Sequence, residues 1–244
     1  MEDVVRNGPE RPEDAEVSGA GVPIGRRTLF GLLGLGALGI AFGPAIQDRI
    51  ASTFRPVADL LPSGGRFRIY SVVGFLPSRA RPDYTLRVDG LVDTPFEISF
   101  DELAGMTPTS ITRDFQCVTG WRVDDVMWRG VKLSELLDRA GVQSGSSALR
   151  FFSFDGEYTE SLTLEQARRA DVLVVYEMEG KPLSSAHGGP VRLFVAPMYG
   201  YKSLKWLDRI EATADVVPGY WEERGYDVDA WVGRSNGRDD APTA

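Results

Sequence analysis

The sequence holds one cysteine, Cys117, and one histidine, His187, in 244 residues. A single cysteine excludes an internal disulfide, zinc ribbons and cysteine-ligated iron–sulfur clusters. A single histidine excludes histidine-rich metal sites and any serine triad with a second histidine in reserve. Positive charge is scarce as well: 27 Lys and Arg against 35 Asp and Glu leave a formal net charge of −8. With no basic run, the chain lacks the face that binds a phosphate backbone, so no nucleic-acid partner is expected. Internal repeats are absent. What is present is 43% apolar and 10% aromatic residues, enough for one substantial core in one domain or at most two.

Residues 1–25 are polar, acidic and rich in Gly, Pro and Glu, a composition expected to be disordered. Arg26-Arg27 then precede Thr28 to Ile46, which contain no charge. That uncharged run is close to the roughly 20 residues a helix needs to cross a bilayer. The pair also fits a twin-arginine export signal, Arg26-Arg27-Thr28-Leu29-Phe30. No A-x-A cleavage site follows, which favours an uncleaved anchor over a removed signal. The expectation is therefore one N-terminal apolar helix over 26–46, serving as signal or transmembrane anchor. The arginines stay inside and the globular part lies outside, at the cell membrane or in the periplasmic, extracytoplasmic space. Residues 47–65 read as a linker ending in Pro62-Ser63-Gly64-Gly65.

From Arg66 to about Asp215 short strands alternate with short helices, within a globular domain expected over 66–233. Tyr84–Val92 alternates apolar and polar residues as a half-buried strand does. Ser99 followed by Asp101 and Glu102 marks a helix start. Leu133, Leu136 and Leu137 form a helical stripe that Gly141 closes. Phe151–Leu164 reads as a hairpin around Asp155-Gly156, Thr163–Ala170 as a short helix, and Val172–Tyr176 and Val191–Ala196 as buried strands. Strands dominate and helices are scattered, so the fold class is α+β with a mixed sheet. The chain after Trp231 reads as loop, with 234–244 a disordered tail.

Three stretches carry chemistry. Cys117 lies in Asp114-Phe115-Gln116-Cys117-Val118-Thr119-Gly120-Trp121-Arg122. A lone cysteine is by default a small buried hydrophobe. Here Arg113 stands four residues before it and Arg122 five after, and guanidinium charge favours the thiolate, the form that binds a soft metal. His187-Gly188-Gly189-Pro190-Val191-Arg192 puts a close-approach backbone beside a planar guanidinium suited to phosphate. Gly200-Tyr201-Lys202-Ser203-Leu204-Lys205 resembles an anion cradle, with two lysines around a serine after a glycine turn.

Taken in order, these motifs resemble the molybdopterin-binding domain of the sulfite oxidase family. The resemblance runs through Cys117 with Trp128-x-Gly130-x-x-Leu133, Tyr176–Leu183, His187–Arg192 and Gly200–Leu207, and covers about Phe67 to Trp231. It implies a molybdenum–molybdopterin cofactor with Cys117 as the metal ligand through sulfur. It implies that Ser153, His187, Arg192, Ser203, Leu204 (through its backbone) and Lys205 contact the cofactor. It also places Arg122 near an anionic-substrate pocket and makes Tyr226, in Gly219–Tyr226, the phenol of the active site. Cys117, Arg122 and Tyr226 are thus the expected catalytic residues.

The departures bear on substrate. Val73 stands where sulfite oxidases place an arginine, and Gly225 stands where they place an acid. His187 stands where the family's protein-methionine-sulfoxide reductases carry asparagine. The expected protein is a single, monomeric, extracytoplasmic domain, tethered to the membrane, without a dimerisation or haem domain. It would transfer an oxygen atom or two electrons on a small S-oxide or N-oxide, with a haem-containing redox partner. The alternatives are sulfite oxidation and, from another class, a non-catalytic electron-relay or cofactor-binding subunit.

Overall fold

The computed structural model describes residues 67–243. The acidic N-terminal stretch, the expected apolar helix over 26–46 and the linker lie outside the described residues. Among the described residues no helix is long and apolar enough to cross a membrane.

The alternation expected near Tyr84 forms β1 (Thr85–Gly90), with Leu86 and Val88 turned into the core. After β2 (Phe96–Ser99), Ser99 caps α1 (Phe100–Gly105): its hydroxyl accepts from Glu102 N, and the Glu102 carboxylate accepts from Ser99 N at 2.8 Å. Each end group thereby satisfies a donor the first turn leaves open. β3 (Thr109–Gln116) and β4 (Arg122–Lys132) form an antiparallel pair whose register shifts between Arg113 and Phe115. α2 (Leu133–Ala140) buries Leu133, Leu136, Leu137 and Ala140 completely, worth about 1.5–3 kcal/mol for each leucine. Gly141 ends it in the left-handed conformation. β5 (Ala148–Ser153) and β6 (Thr159–Thr163) are the expected hairpin, and Thr163 caps the one-turn α3 (Leu164–Ala167). β7 (Val172–Met178), β8 (Lys181–Pro182), β9 (Arg192–Val195) and β10 (Leu207–Thr213) complete the order.

Where one mixed sheet is expected from the sequence, the strands divide into two sheets. The first runs β2-β1-β10-β5-β6 and is mixed, because β1 and β10 are parallel while its other pairs are antiparallel. The second is antiparallel, β3-β4-β7, with β8 and β9 both paired to β7. The uninterrupted apolar run in β7 follows from burial on both faces. Val172 and Val174 enter the main core, while Leu173 and Val175 join a second cluster around Trp128 and Phe194. Aromatic rings knit that second cluster, with Trp128 and Phe194 stacked at 4.2 Å.

The tail also departs from expectation. It has no regular element, but it is bound to the domain. Ser235 is buried, the Arg122 guanidinium donates to Pro242 O at 2.7 Å, and the Thr243 hydroxyl donates to Ala196 O at 3.0 Å. A polar composition suggests solvation, whereas these side chains pair with the domain's own polar groups.

Candidate active site

A cavity of about 220 Å³ opens beside the turn after β3, and the segments flanking β9 wall it. Cys117, His187, Arg192, Ser203, Leu204, Lys205 and Tyr226, far apart in sequence, all line it. Ser153 and Arg122 do not appear among its lining residues. The Ser153 hydroxyl instead accepts from Asp155 N at 3.1 Å and shapes the hairpin turn.

Cys117 sits in a tight turn at the end of β3. Its N–H donates to Trp121 O at 2.9 Å, Gly120 N donates to Cys117 O at 3.0 Å, and its sulfur lies 3.2 Å from Thr119 Oγ1. The two arginines expected to favour its thiolate are committed elsewhere. Arg113 donates to Thr112 O, and Arg122 pairs with Asp114 at 3.0 Å and Asp124 at 3.4 Å. The case for Cys117 as a soft-metal ligand therefore rests on its sulfur and its place in the cavity. Among the described residues no group of three or more His, Cys, Asp or Glu could hold a metal ion. A metal bound by Cys117 needs its remaining ligands from a cofactor.

The positive charge in the cavity gathers around β9. Arg192, at the start of that strand, is 3% exposed, and its guanidinium donates to His187 O at 3.0 Å and Ser203 O at 2.7 Å. Burial brings its pKa down to about 10. Lys205 is drawn down to about 7 by burial and then by the Arg192 charge, and its ammonium donates to Tyr70 O. His187 is lowered by burial, then by Arg192 and Lys205, so it is neutral at neutral pH. Gly188 makes this crowding possible: at φ +93° it presses on Lys205, and a Cβ there would stand 2.7 Å from the lysine's own Cβ. Two cations held together with carbonyls as their partners suit an anion such as a phosphate, because desolvated charge is costly until it is paired.

Lys202 does not share in this group, although the sequence offers it as half of a cradle. Its ammonium is fully buried, 3.0 Å from Glu160 and in contact with Glu222. Ser203 keeps its hydroxyl on Val195 N at 3.0 Å, so its contribution to the cavity is one of shape and backbone.

Two further groups face the cavity that sequence reasoning does not single out. Asp155 accepts from Glu157 N at 2.9 Å and Tyr158 N at 2.8 Å through one oxygen, while its other oxygen is buried without a partner. The only visible sign in the sequence is Asp155-Gly156, which reads as a turn. Trp121 Nε1 is likewise a buried donor without an acceptor. A pterin offers matching chemistry, since its amino-pyrimidinone edge donates and its dithiolene and phosphate ends accept. On the remaining wall Tyr226 packs edge-on to Tyr201 at 5.5 Å and against Trp221 at 5.2 Å. The residues present thus fit a pterin with a phosphate and a sulfur-bound metal.

Comparison with known proteins agrees with this fit. The family model "Oxidoreductase molybdopterin binding domain" matches residues 74–221. The chain is 34% identical over 150 residues to the uncharacterized oxidoreductase YuiH of Bacillus subtilis, covering 61% of this chain and 75% of that protein. It is 29% identical over 177 residues to sulfite oxidase of Arabidopsis thaliana, covering 59% of this chain and 45% of that protein. The sulfane dehydrogenase SoxCD of Paracoccus pantotrophus shares the fold at a TM-score of 0.54 and 22% identity, covering 63% of this chain and 46% of that one. The chain therefore spans less than half the length of the latter two. The protein belongs to the oxidoreductase molybdopterin-binding domain family, of the sulfite oxidase type, and is an oxidoreductase whose cofactor is molybdenum–molybdopterin.

Proposed function

We propose that the protein reduces a small neutral S-oxide or N-oxide outside the cytoplasm, with Cys117 as its molybdenum ligand. The observation that carries the substrate class is the position of positive charge. Arg122 is drawn out of the cavity by Asp114, Asp124 and Pro242 O, while Val73 and Gly225 bring none. Of the lining cations, Arg192 and Lys205 suit the cofactor's phosphate, and Arg68 is solvent-exposed. The cavity that Cys117 lines is rich in aromatic side chains, among them Phe115, Trp121, Trp221 and Tyr226. An anion such as sulfite loses hydration there without gaining a buried counter-charge, whereas a neutral oxide brings only a dipole.

The bound cofactor supplies two-electron oxygen-transfer chemistry. This chain's residues bind and orient. Arg192 and Lys205 hold the phosphate, and His187, Ser203 and the backbone at Leu204 pack the pterin. Asp155, through its unpaired buried oxygen, would accept from a donor group of the pterin. The Tyr226 hydroxyl donates to the departing substrate oxygen. For a sulfoxide, the overall change consumes two protons and two electrons and yields the sulfide and one water. The electrons are delivered by a redox partner, for which a haem protein is suited. The uncharged run Thr28–Ile46 after Arg26-Arg27 would tether the domain to the membrane by the twin-arginine route.

Steady-state assays on one molybdenum-replete preparation test the substrate class. A methyl sulfoxide should give the higher kcat/KM and sulfite the lower. A sulfite value well above the sulfoxide value would return the protein to the sulfite oxidases. The cofactor contacts have their own test. Arg192→Ala and Lys205→Ala should each lower pterin occupancy, by the roughly 1.5–3 kcal/mol of a charge-assisted hydrogen bond. Full pterin content in both variants, measured by fluorescence of the released and oxidised pterin, would remove the phosphate assignment.

A further inference from the structure

The chain after Trp231 lies beyond the stretch matched by the family model, yet it reaches both walls of the cavity. On one side the Arg238 guanidinium lies on Gly120, in the turn that carries Cys117. Gly120 has φ +96°, and a Cβ there would stand 3.0 Å from Arg238 Nη2. The same turn is held two residues later, where Arg122 donates to Pro242 O at 2.7 Å. On the other side Asn236 donates to the Tyr201 hydroxyl at 3.0 Å, and that hydroxyl donates to Asp227 O at 2.7 Å. Tyr201 is the ring on which Tyr226 packs.

Between these contacts the tail is internally braced. Arg238 holds Asp240 through two bonds of 2.7 and 3.2 Å. Asp240 accepts from the Tyr199 hydroxyl at 2.9 Å, and that hydroxyl accepts from Gly233 N at 3.1 Å. Tyr199 is fully buried and directly precedes Gly200 on the cavity wall. The Cys117 turn is otherwise closed by two backbone hydrogen bonds, by Gln116 Nε2 donating to Cys117 O at 3.1 Å and by the contact of the sulfur with Thr119 Oγ1, all within residues 116–121, and it contains a glycine in the left-handed region. A turn whose hydrogen bonds are all local opens more easily when nothing from elsewhere in the chain covers it.

We propose that residues 233–243 form a clamp that fixes Cys117 relative to Tyr226, with Arg238 as its positioning residue. The proposal rests on the reading of Cys117 as metal ligand and Tyr226 as the substrate-side hydroxyl. The clamp also keeps Arg122 on Asp114 and the tail, away from the cavity, and so helps make the site unreceptive to anions.

Because Cys117 is the only cysteine, its alkylation in cofactor-free protein reads the turn directly. Iodoacetamide should modify Arg238→Ala, and a chain ending at Val232, about tenfold faster than the full chain, equivalent to about 1.4 kcal/mol of easier opening. Arg238→Lys keeps the charge and one bond to Asp240 and should fall between. In cofactor-loaded Arg238→Ala the thiolate-to-metal absorption band should shift, and kcat should fall by a larger factor than KM changes. If the shortened chain does not fold, Arg238→Ala decides alone, since it leaves the Tyr199–Asp240 and Arg122–Pro242 bonds in place. Alkylation of Arg238→Ala within about twofold of the full chain, with an unshifted band, overturns the clamp. That outcome is separable from failure of the ligand assignment, since thiol alkylation without cofactor does not depend on what Cys117 binds.

Discussion

Cys117→Ser is expected to abolish molybdenum-dependent turnover while the domain remains folded. Sulfur and oxygen differ greatly in softness: a hydroxyl is a hard, weakly acidic ligand, and a thiolate is a soft one. No second cysteine can substitute, and no other group of protein ligands is placed to hold a metal among the described residues. The fold should tolerate the change. The turn is closed by Cys117 N to Trp121 O and Gly120 N to Cys117 O, neither of which uses the side chain. A serine hydroxyl can also take up the contact with Thr119. Stability should therefore move by less than about 1 kcal/mol. Turnover should fall by at least about 10³-fold, roughly 4 kcal/mol of transition-state stabilisation. Metal and pterin analysis beside steady-state kinetics distinguishes loss of the cofactor from a changed ligand field. Wild-type turnover in a molybdenum-replete serine variant would remove Cys117 from the metal.

That prediction rests on a residue the sequence marks clearly, and others are marked less well. Local features are legible because they depend on near neighbours. Ser99 and Thr163 announce their helices by capping boxes, and the leucine stripe of α2 announces its buried face. The division into two sheets is not legible. It depends on β1 pairing with β10, more than a hundred residues apart, and no local pattern encodes that. At the site, His187, Arg192, Ser203, Leu204 and Lys205 do converge, since β9 and its flanks bring them together. Arg122 does not join them, because its partners are acids on β3 and β4 and a carbonyl in the tail. Asp155 escapes notice because one carboxylate oxygen serves the turn and only the other, unpaired one reveals a second role. Charge is easy to count in a sequence, but its destination is a tertiary fact.

Lys202 is the sharpest case of that difference, and its replacement should have the largest effect on stability. It sits three residues before Lys205 but points to the opposite duty. Its ammonium donates to Ser161 O at 2.8 Å, lies 3.0 Å from Glu160 and touches Glu222, with all three side chains fully buried. The Glu222 carboxylate in turn accepts from Gly219 N, so the group fastens the segment bearing Trp221 and Tyr226 onto β6. Two carboxylates around one ammonium leave an excess of negative charge. Burial accordingly raises Glu160 to about 7 from 4.5, even though Lys202 opposes the rise. A carboxyl raised in the folded state contributes stability in full below about 4.5 and loses it as pH climbs through about 7. Lys202→Met removes the cation that limits this loss, leaving Glu160 and Glu222 buried together with Tyr158 beside Glu160. Breaking a buried pair by deleting one partner costs about 3–5 kcal/mol, which is roughly 10 °C in Tm for a domain of this size. The deficit should be greatest near pH 8, where Glu160 is driven to ionise, and smaller near pH 5, where it can hold a proton. Thermal unfolding of the wild type and Lys202→Met at the two pH values measures it. An equal loss at both, or a loss below about 1 kcal/mol, would mean that Lys202 is held by packing and that the buried charges do not depend on it.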